Sequence, residues 1–201
     1  VWELDKVTVK PLPACHFTHA CADAAAILRD RHGLRVADIA SVRALVPAEV
    51  VKTVCEPVAT KKRPQNSYDA QFSIPYTVAT ALAKGRFGLA ELDDAALRDE
   101  QVLALAAKVE YEVDPDSPFP TYYSGEVVVT LNNGRELRHR EHVNRGAAER
   151  PISNADVERK FFENMQLVTS TARAAQVRDL VLAIGCDSAA VDVQRGLAAR
   201  G

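Results

Sequence analysis

Residues 126–143 read EVVVTLNNGRELRHREHV, a β-branched run over 126–131 and an alternating run over 135–143 on either side of Asn133 and Gly134. An Asn-Gly pair readily takes the left-handed backbone positions of a tight turn, so this stretch predicts an antiparallel hairpin. Alternation sets Arg138, Arg140 and His142 on one face of the second strand and Leu137, His139, Glu141 and Val143 on the other. Charge on both faces predicts that part of this strand is solvated.

The flanking sequence supplies more strands and a layer to cover them. VEYEV at 109–113 alternates as a strand with one wet face, IASVRALV at 39–46 reads as another, and residues 2–10 alternate imperfectly until Pro11 and Pro13 stop them. Thr18 is the expected cap of a helix that puts Cys21, Ala24, Ala25 and Leu28 on one face and ends at Gly33. Ser73 and Pro75 open a second helix, with Tyr76, Ala79, Thr80 and Ala83 on a small-residue face suited to lying flat on a sheet. Asp93 and Asp99 are expected caps of short helices over 95–98 and 100–108, residues 47–60 suit a short helix or an irregular strand, and 61–68 reads as a loop. Ser153 and Asp156 form a capping-box pattern ahead of Val157, Phe161 and Met165, and two helices over 172–184 and 188–200 close the chain. The expected fold class is α/β, a two-layer sandwich with a mixed or antiparallel sheet and helices on one side. Residues 1–166 would form that domain, and 167–201 would be C-terminal helices belonging to an all-helical domain.

With 201 residues, 47% of them hydrophobic and 26% charged, the chain can bury a core without disulfides and is not a disordered or fibrous sequence. A formal net charge of -2 removes the general electrostatic case for a nucleic-acid or anionic-membrane partner. No apolar run is long enough for a membrane span, and the scattered Cys15, Cys21, Cys55 and Cys186 suit a reducing, cytoplasmic setting. The first residue is not methionine, which points to a fragment or a processed product.

The segment KPLPACHFTHA at 10–20 concentrates Lys10, Cys15, His16 and His19 between a strand end and a helix start, where side chains and free amides meet an anion together. A lysine there neutralises a carboxylate or, when desolvated, acts as a base. Cys15, His16 and His19 lack the i, i+4 helical spacing and third carboxylate of a zinc site, and adjacent Cys15 and His16 are poorly placed as a nucleophile and base. Lys61, Lys62 and Arg63 form one basic run, and Arg135, Arg138, Arg140 and Arg145 a second. Converging, the two runs would make an anion pocket; apart, they are solvated faces. Glycine-rich nucleotide loops and the G-x-S-x-G elbow are missing from the sequence.

The blocks VKPLPACHFTHACADAA, RPQNSYDAQFSIPYTVATAL, GRFGL, LAAKVEYEVDP, VVVTLNNGRELRHR and ISNADVERKF occur in one order and cover roughly residues 7–161. In these blocks the sequence resembles the C-terminal half of the MmgE/PrpD family, the group of 2-methylcitrate dehydratase, cis-aconitate decarboxylase and iminodisuccinate epimerase. The resemblance implies a small α/β domain beside a large helical one that this chain does not contain. It also implies metal-free, cofactor-free proton chemistry next to a carboxylate, most simply dehydration of a hydroxy-tricarboxylate such as 2-methylcitrate. Epimerisation, another lyase reaction, or a non-catalytic structural role are the alternatives. In the decarboxylase branch an active-site lysine is matched by Lys10, while a catalytic histidine five residues on is matched by Cys15. His19 matches a position at which the family often shows histidine.

The resemblance suggests Lys10 and His19 as catalytic residues; with the reading of the 10–20 segment and the first basic run, Lys10, His16, Lys61 and Arg63 are the expected binders of a small di- or tricarboxylate. It implies that this chain holds one wall of the cleft and has a helical partner domain or subunit, as an oligomer, with no nucleic-acid or membrane partner. Leu180, Val181, Ile184, Val191, Val193 and Leu197 would be exposed without such a partner.

Overall fold

The computed structural model describes residues 7–184 and 190–198. The strand expected over 2–10 falls partly outside them, and residues 7–10 carry no regular structure. Two compact units divide the chain, Val1–Ile152 and Ser153–Gly201.

In the first unit, α1 (His16–His32) leads to β1 (Ile39–Val46), then to the short helices α2 (Val51–Val54), α3 (Val58–Lys62) and α4 (Ser67–Gln71). Two longer helices, α5 (Ile74–Lys84) and α6 (Glu100–Ala107), precede β2 (Val109–Val113), β3 (Gly125–Leu131) and β4 (Glu136–Glu141). The four strands form one mixed sheet in the order β2-β1-β3-β4. β1 runs parallel to β2 and antiparallel to β3, and β3 pairs antiparallel with β4. The fold is thus the α/β class expected. At the turn between β3 and β4, Gly134 takes a φ of 82°, and the Asn133 side chain accepts from the Arg135 amide at 3.0 Å. The same connection is tied down by Asn132, whose side chain donates to the Ala37 carbonyl at 2.7 Å.

α1 packs on β3 and β4, and α5 on β1 and β2. Cys21, Ala24, Ala25 and Leu28 of α1 meet Val42, Ala44, Val127 and Val129 of the sheet, all fully buried in one core. Small side chains let the layers approach: a Cβ on Gly125 would lie 2.6 Å from the Cys21 sulfur. The other sheet face carries ion pairs. Arg43 reaches Glu112 and Glu136, Arg138 reaches Glu126, and Arg140 joins Glu126 to Asp114 beyond the end of β2.

Two local expectations change. Thr18 is not the cap of α1: the helix starts at His16 with Cys15 as its N-cap, and the buried Thr18 hydroxyl donates back to the Cys15 carbonyl at 2.9 Å. Pro13 keeps the backbone before it extended, which leaves room for the helix to begin sooner. Residues 61–68 are not one loop either, because Lys61 and Lys62 end α3 and Ser67 and Tyr68 begin α4, capped by Asn66. Ser73, Asp99 and Gly85 act as helix termini as their residue types dictate.

The second unit holds α7 (Asn154–Met165), α8 (Thr171–Leu182) and α9 (Ala190–Ala198). Ser153 and Asp156 complete a reciprocal capping box on α7. Arg178 pairs with Glu158 at 2.7 Å and lies over the Phe162 ring. Val181, Leu182, Ile184 and Val191 are exposed, while the side chains of Val193 and Leu197 lie outside the described residues. No described helix is long and apolar enough to cross a membrane.

Candidate functional site

The site forms where three connections meet: the segment leading into α1, the loop before β3, and the loop after β4. Pro11 and Pro13 deny residues 10–14 a helical path, so the backbone bends sharply before Cys15. Its two ends are pinned, with the Val9 amide donating to the Gly146 carbonyl at 3.0 Å and the Cys15 amide to the Gln71 carbonyl at 2.8 Å. Gly146 has a φ of 94°, and a Cβ there would run into the Val9 carbonyl oxygen. Only glycine lets the two segments touch.

The Ala14 carbonyl is the hub of this bend. It accepts from the Lys10 ammonium at 3.4 Å and is in contact with His19 Nε2 at 3.2 Å. Since a carbonyl only accepts, the His19 proton sits on Nε2 and the opposite nitrogen, Nδ1, is a buried lone pair with no hydrogen-bond partner. Burial pushes the His19 pKa down to about 3, helped by the neighbouring His16 and less by Lys10 and Arg145. His16, half-buried beside it at 4.8 Å between ring centroids, is also lowered, by burial first and by Lys10 second. Both imidazoles are neutral near pH 7.

An aromatic wall backs the histidines. The Tyr123 ring stands edge-on to His16 at 4.9 Å and contacts Phe17 and Phe119, at 5.2 and 5.6 Å. Behind His19, Arg145 holds Asp23 of α1 in a two-pronged pair at 3.0 and 2.8 Å. That fork fixes the loop after β4 to the helix carrying both histidines. The first turn of α1 has no acidic residue and no side-chain cap, so its leading amides add positive potential. The exposed Lys10, the half-buried neutral His16 and the helix amides lie together against this aromatic wall, while His19 is fully buried.

Of the residues expected at a site, the structure brings Lys10, His16 and His19 together. Lys61 is buried on α3, where its ammonium donates to the Thr53 carbonyl at 2.8 Å and burial lowers its pKa. Arg63 lies on the surface in a pair with Glu100 at 2.9 Å. The two basic runs do not form one pocket: Lys62 pairs with Glu110, Arg138 and Arg140 with Glu126, and Arg145 with Asp23. Tyr123 and Asn144 reach this place from loops far along the sequence, and Asp23 of α1 is tied to it only through Arg145, so the sequence pattern marks none of the three. Among the described residues no three His, Cys, Asp or Glu side chains converge as metal ligands do.

A two-layer α/β domain with a lysine and paired histidines at the entry to its first helix defines the class. The chain belongs to the MmgE/PrpD family, whose C-terminal domain matches residues 12–184. Human cis-aconitate decarboxylase is 30% identical over 178 residues, 84% of this chain and 35% of that protein. The mouse cis-aconitate decarboxylase is 29% identical over 173 residues, 82% of this chain and 34% of its own length. The chain therefore spans about a third of the length of these relatives.

Proposed function

We propose that this chain forms one wall of the active-site cleft of a lyase acting on a small di- or tricarboxylate by proton chemistry at the carbon next to a carboxylate. The observation that carries the reading is the convergence of Lys10 and His19 on the Ala14 carbonyl, with the neutral His16 ring 4.8 Å from that of His19. Lys10 offsets the charge of a substrate carboxylate and of the enolate-like oxygen that develops as the α-proton leaves. His16 faces the ligand beside it. His19, fully buried, acts by holding the bend that aims Lys10.

The reaction proposed is dehydration of a hydroxy-tricarboxylate such as 2-methylcitrate, without a metal ion. Decarboxylation is the second reading, favoured by the likeness to the cis-aconitate decarboxylases. Cys15 argues against it, because it stands five residues beyond Lys10, where the resemblance puts that branch's catalytic histidine. A helical domain or a partner subunit, outside these 201 residues, supplies the opposite wall and the remaining acid–base groups.

The test has two stages. Titration of the ¹⁵N-labelled chain with citrate should shift the His16 and His19 ring signals, and Lys10→Ala should weaken that response about tenfold, the loss of one charge-assisted contact. The chain assembled with the helical part of a family member is then given 2-methylcitrate and cis-aconitate separately. Loss of water from the first supports dehydration, and release of carbon dioxide from the second supports decarboxylation. Unperturbed ring signals at saturating citrate would remove the carboxylate site altogether.

A further inference from the structure

Asn144, 3% exposed in the loop after β4, touches His16 across 128 residues of sequence. Its two amide atoms are told apart by their partners. The Tyr123 backbone N–H donates to Asn144 Oδ1 at 3.1 Å, so the oxygen faces that amide and the Nδ2 hydrogens face elsewhere. Turned the other way, the side chain would set its NH₂ against the Tyr123 N–H, donor against donor, in a buried place. Nδ2 lies 3.0 Å from His16 Nε2 and has only hydrogens to offer. His16 Nε2 must then be the bare, accepting nitrogen, and its proton sits on Nδ1.

That tautomer is the less common one for a free neutral imidazole in water, so a specific partner has to select it. We propose that Asn144 is a positioning residue: by donating to Nε2 it keeps His16 neutral and turns it into a hydrogen-bond donor through Nδ1. Nδ1 has no hydrogen-bond partner among the described residues and is not sealed from solvent. The inference rests on the carboxylate-site reading above and deepens it. His16 serves there as a fixed donor to a carboxylate or enolate oxygen, beside the charge of Lys10, and not as the base that removes the α-proton. The Tyr123 ring, edge-on to His16, keeps the imidazole from rotating away from Asn144.

The two histidines then carry opposite tautomers, each set by a fixed partner. His19 donates through Nε2 to its own turn, and His16 accepts at Nε2 from a loop far along the sequence. The His19 ring is committed to structure while the His16 N–H is left for a ligand. This division also places the α-proton's acceptor elsewhere, on the wall supplied by the helical part.

Long-range ¹H–¹⁵N correlation spectra of the His16 ring, recorded without ligand near pH 7, test the assignment directly. A pyrrole-type Nδ1 and a pyridine-type Nε2 are expected. Asn144→Asp, nearly the same in shape, presents only acceptors to Nε2, so Nε2 should gain a proton, by a shift from Nδ1 or as the imidazolium beside the new carboxylate, and its pyridine-type signal should vanish; Asn144→Gln should keep Nε2 bare. A wild-type ring protonated at Nε2, or Asn144→Asp leaving Nε2 unprotonated, overturns the proposal. The wild-type spectrum alone decides if the variants fail to fold. The expected tautomer with no response to citrate supports the role of Asn144 and removes the carboxylate reading; citrate binding to a ring protonated at Nε2 does the reverse.

Discussion

At the scale of single residues, the burial of His19 sets a pH dependence. Its folded pKa is about 3 against an ordinary 6.5, so between those values the unfolded chain binds the proton that the folded chain refuses. The stabilising contribution is complete above about pH 6.5 and is lost progressively as the pH falls toward 3, on the order of a few kcal/mol across the window. Urea denaturation at pH 7 and pH 4.5 should show the drop, and His19→Gln, which keeps a donor for the Ala14 carbonyl but cannot take a proton there, should shrink it. An equal drop in both proteins would assign the acid sensitivity to other groups. Lys10, His16 and His19 were legible as a cluster because they share one short segment. Asn144 was not, because nothing local marks an asparagine as the partner of a histidine more than a hundred residues earlier.

At the scale of elements, the sheet and its covering helices follow from patterns with a clear physical origin. β1 has the predicted bounds: Val42, Ala44 and Val46 alternate onto the core face and Pro47 ends the strand, while the register shifts between Ile39 and Ser41. The start of α1 was misplaced because a threonine in the first turn looks the same in sequence whether it caps the helix or bonds back to a carbonyl inside it. The contact that holds α1 to β3 depends on Gly125, where an added Cβ would meet the Cys21 sulfur, the Cys21 amide and the Ala20 methyl at 2.6, 3.0 and 3.1 Å. Two of these neighbours belong to α1 as rigid parts, so Gly125→Ala should destabilise by about 1–3 kcal/mol, measured by chemical denaturation. On the outer face, Arg140 ties Glu126 to Asp114, whose side chain is fully buried. Arg140→Leu strands both carboxylates and should cost about 3–5 kcal/mol, with part of the loss recovered by adding Asp114→Asn. A stability unchanged by Arg140→Leu would show that this network is a solvated decoration.

At the scale of the whole molecule, the sequence separates an α/β part from terminal helices because strands stop after residue 143 and helical periodicity alone continues. The compact units divide after Ile152, ahead of α7. None of the α7 residues is buried, and α8 buries only Ala174 and Val177. Leu167, Val168, Leu182 and Ile184 stay 54%, 81%, 70% and 55% exposed. Four such side chains close together in sequence lower solubility unless another surface covers them. The chain spans about a third of its relatives' length, and the helical part that the family resemblance implies is the cover proposed for them. Light scattering at about 100 µM, where a typical specific interface is occupied, should therefore show self-association of the isolated chain. Adding the helical part of a family member should convert it to one defined complex, and Val168→Asp with Leu182→Asp should abolish both the self-association and the complex. A monodisperse monomer that ignores the helical part would instead assign these helices an exposed role of their own and detach the candidate site from any second wall.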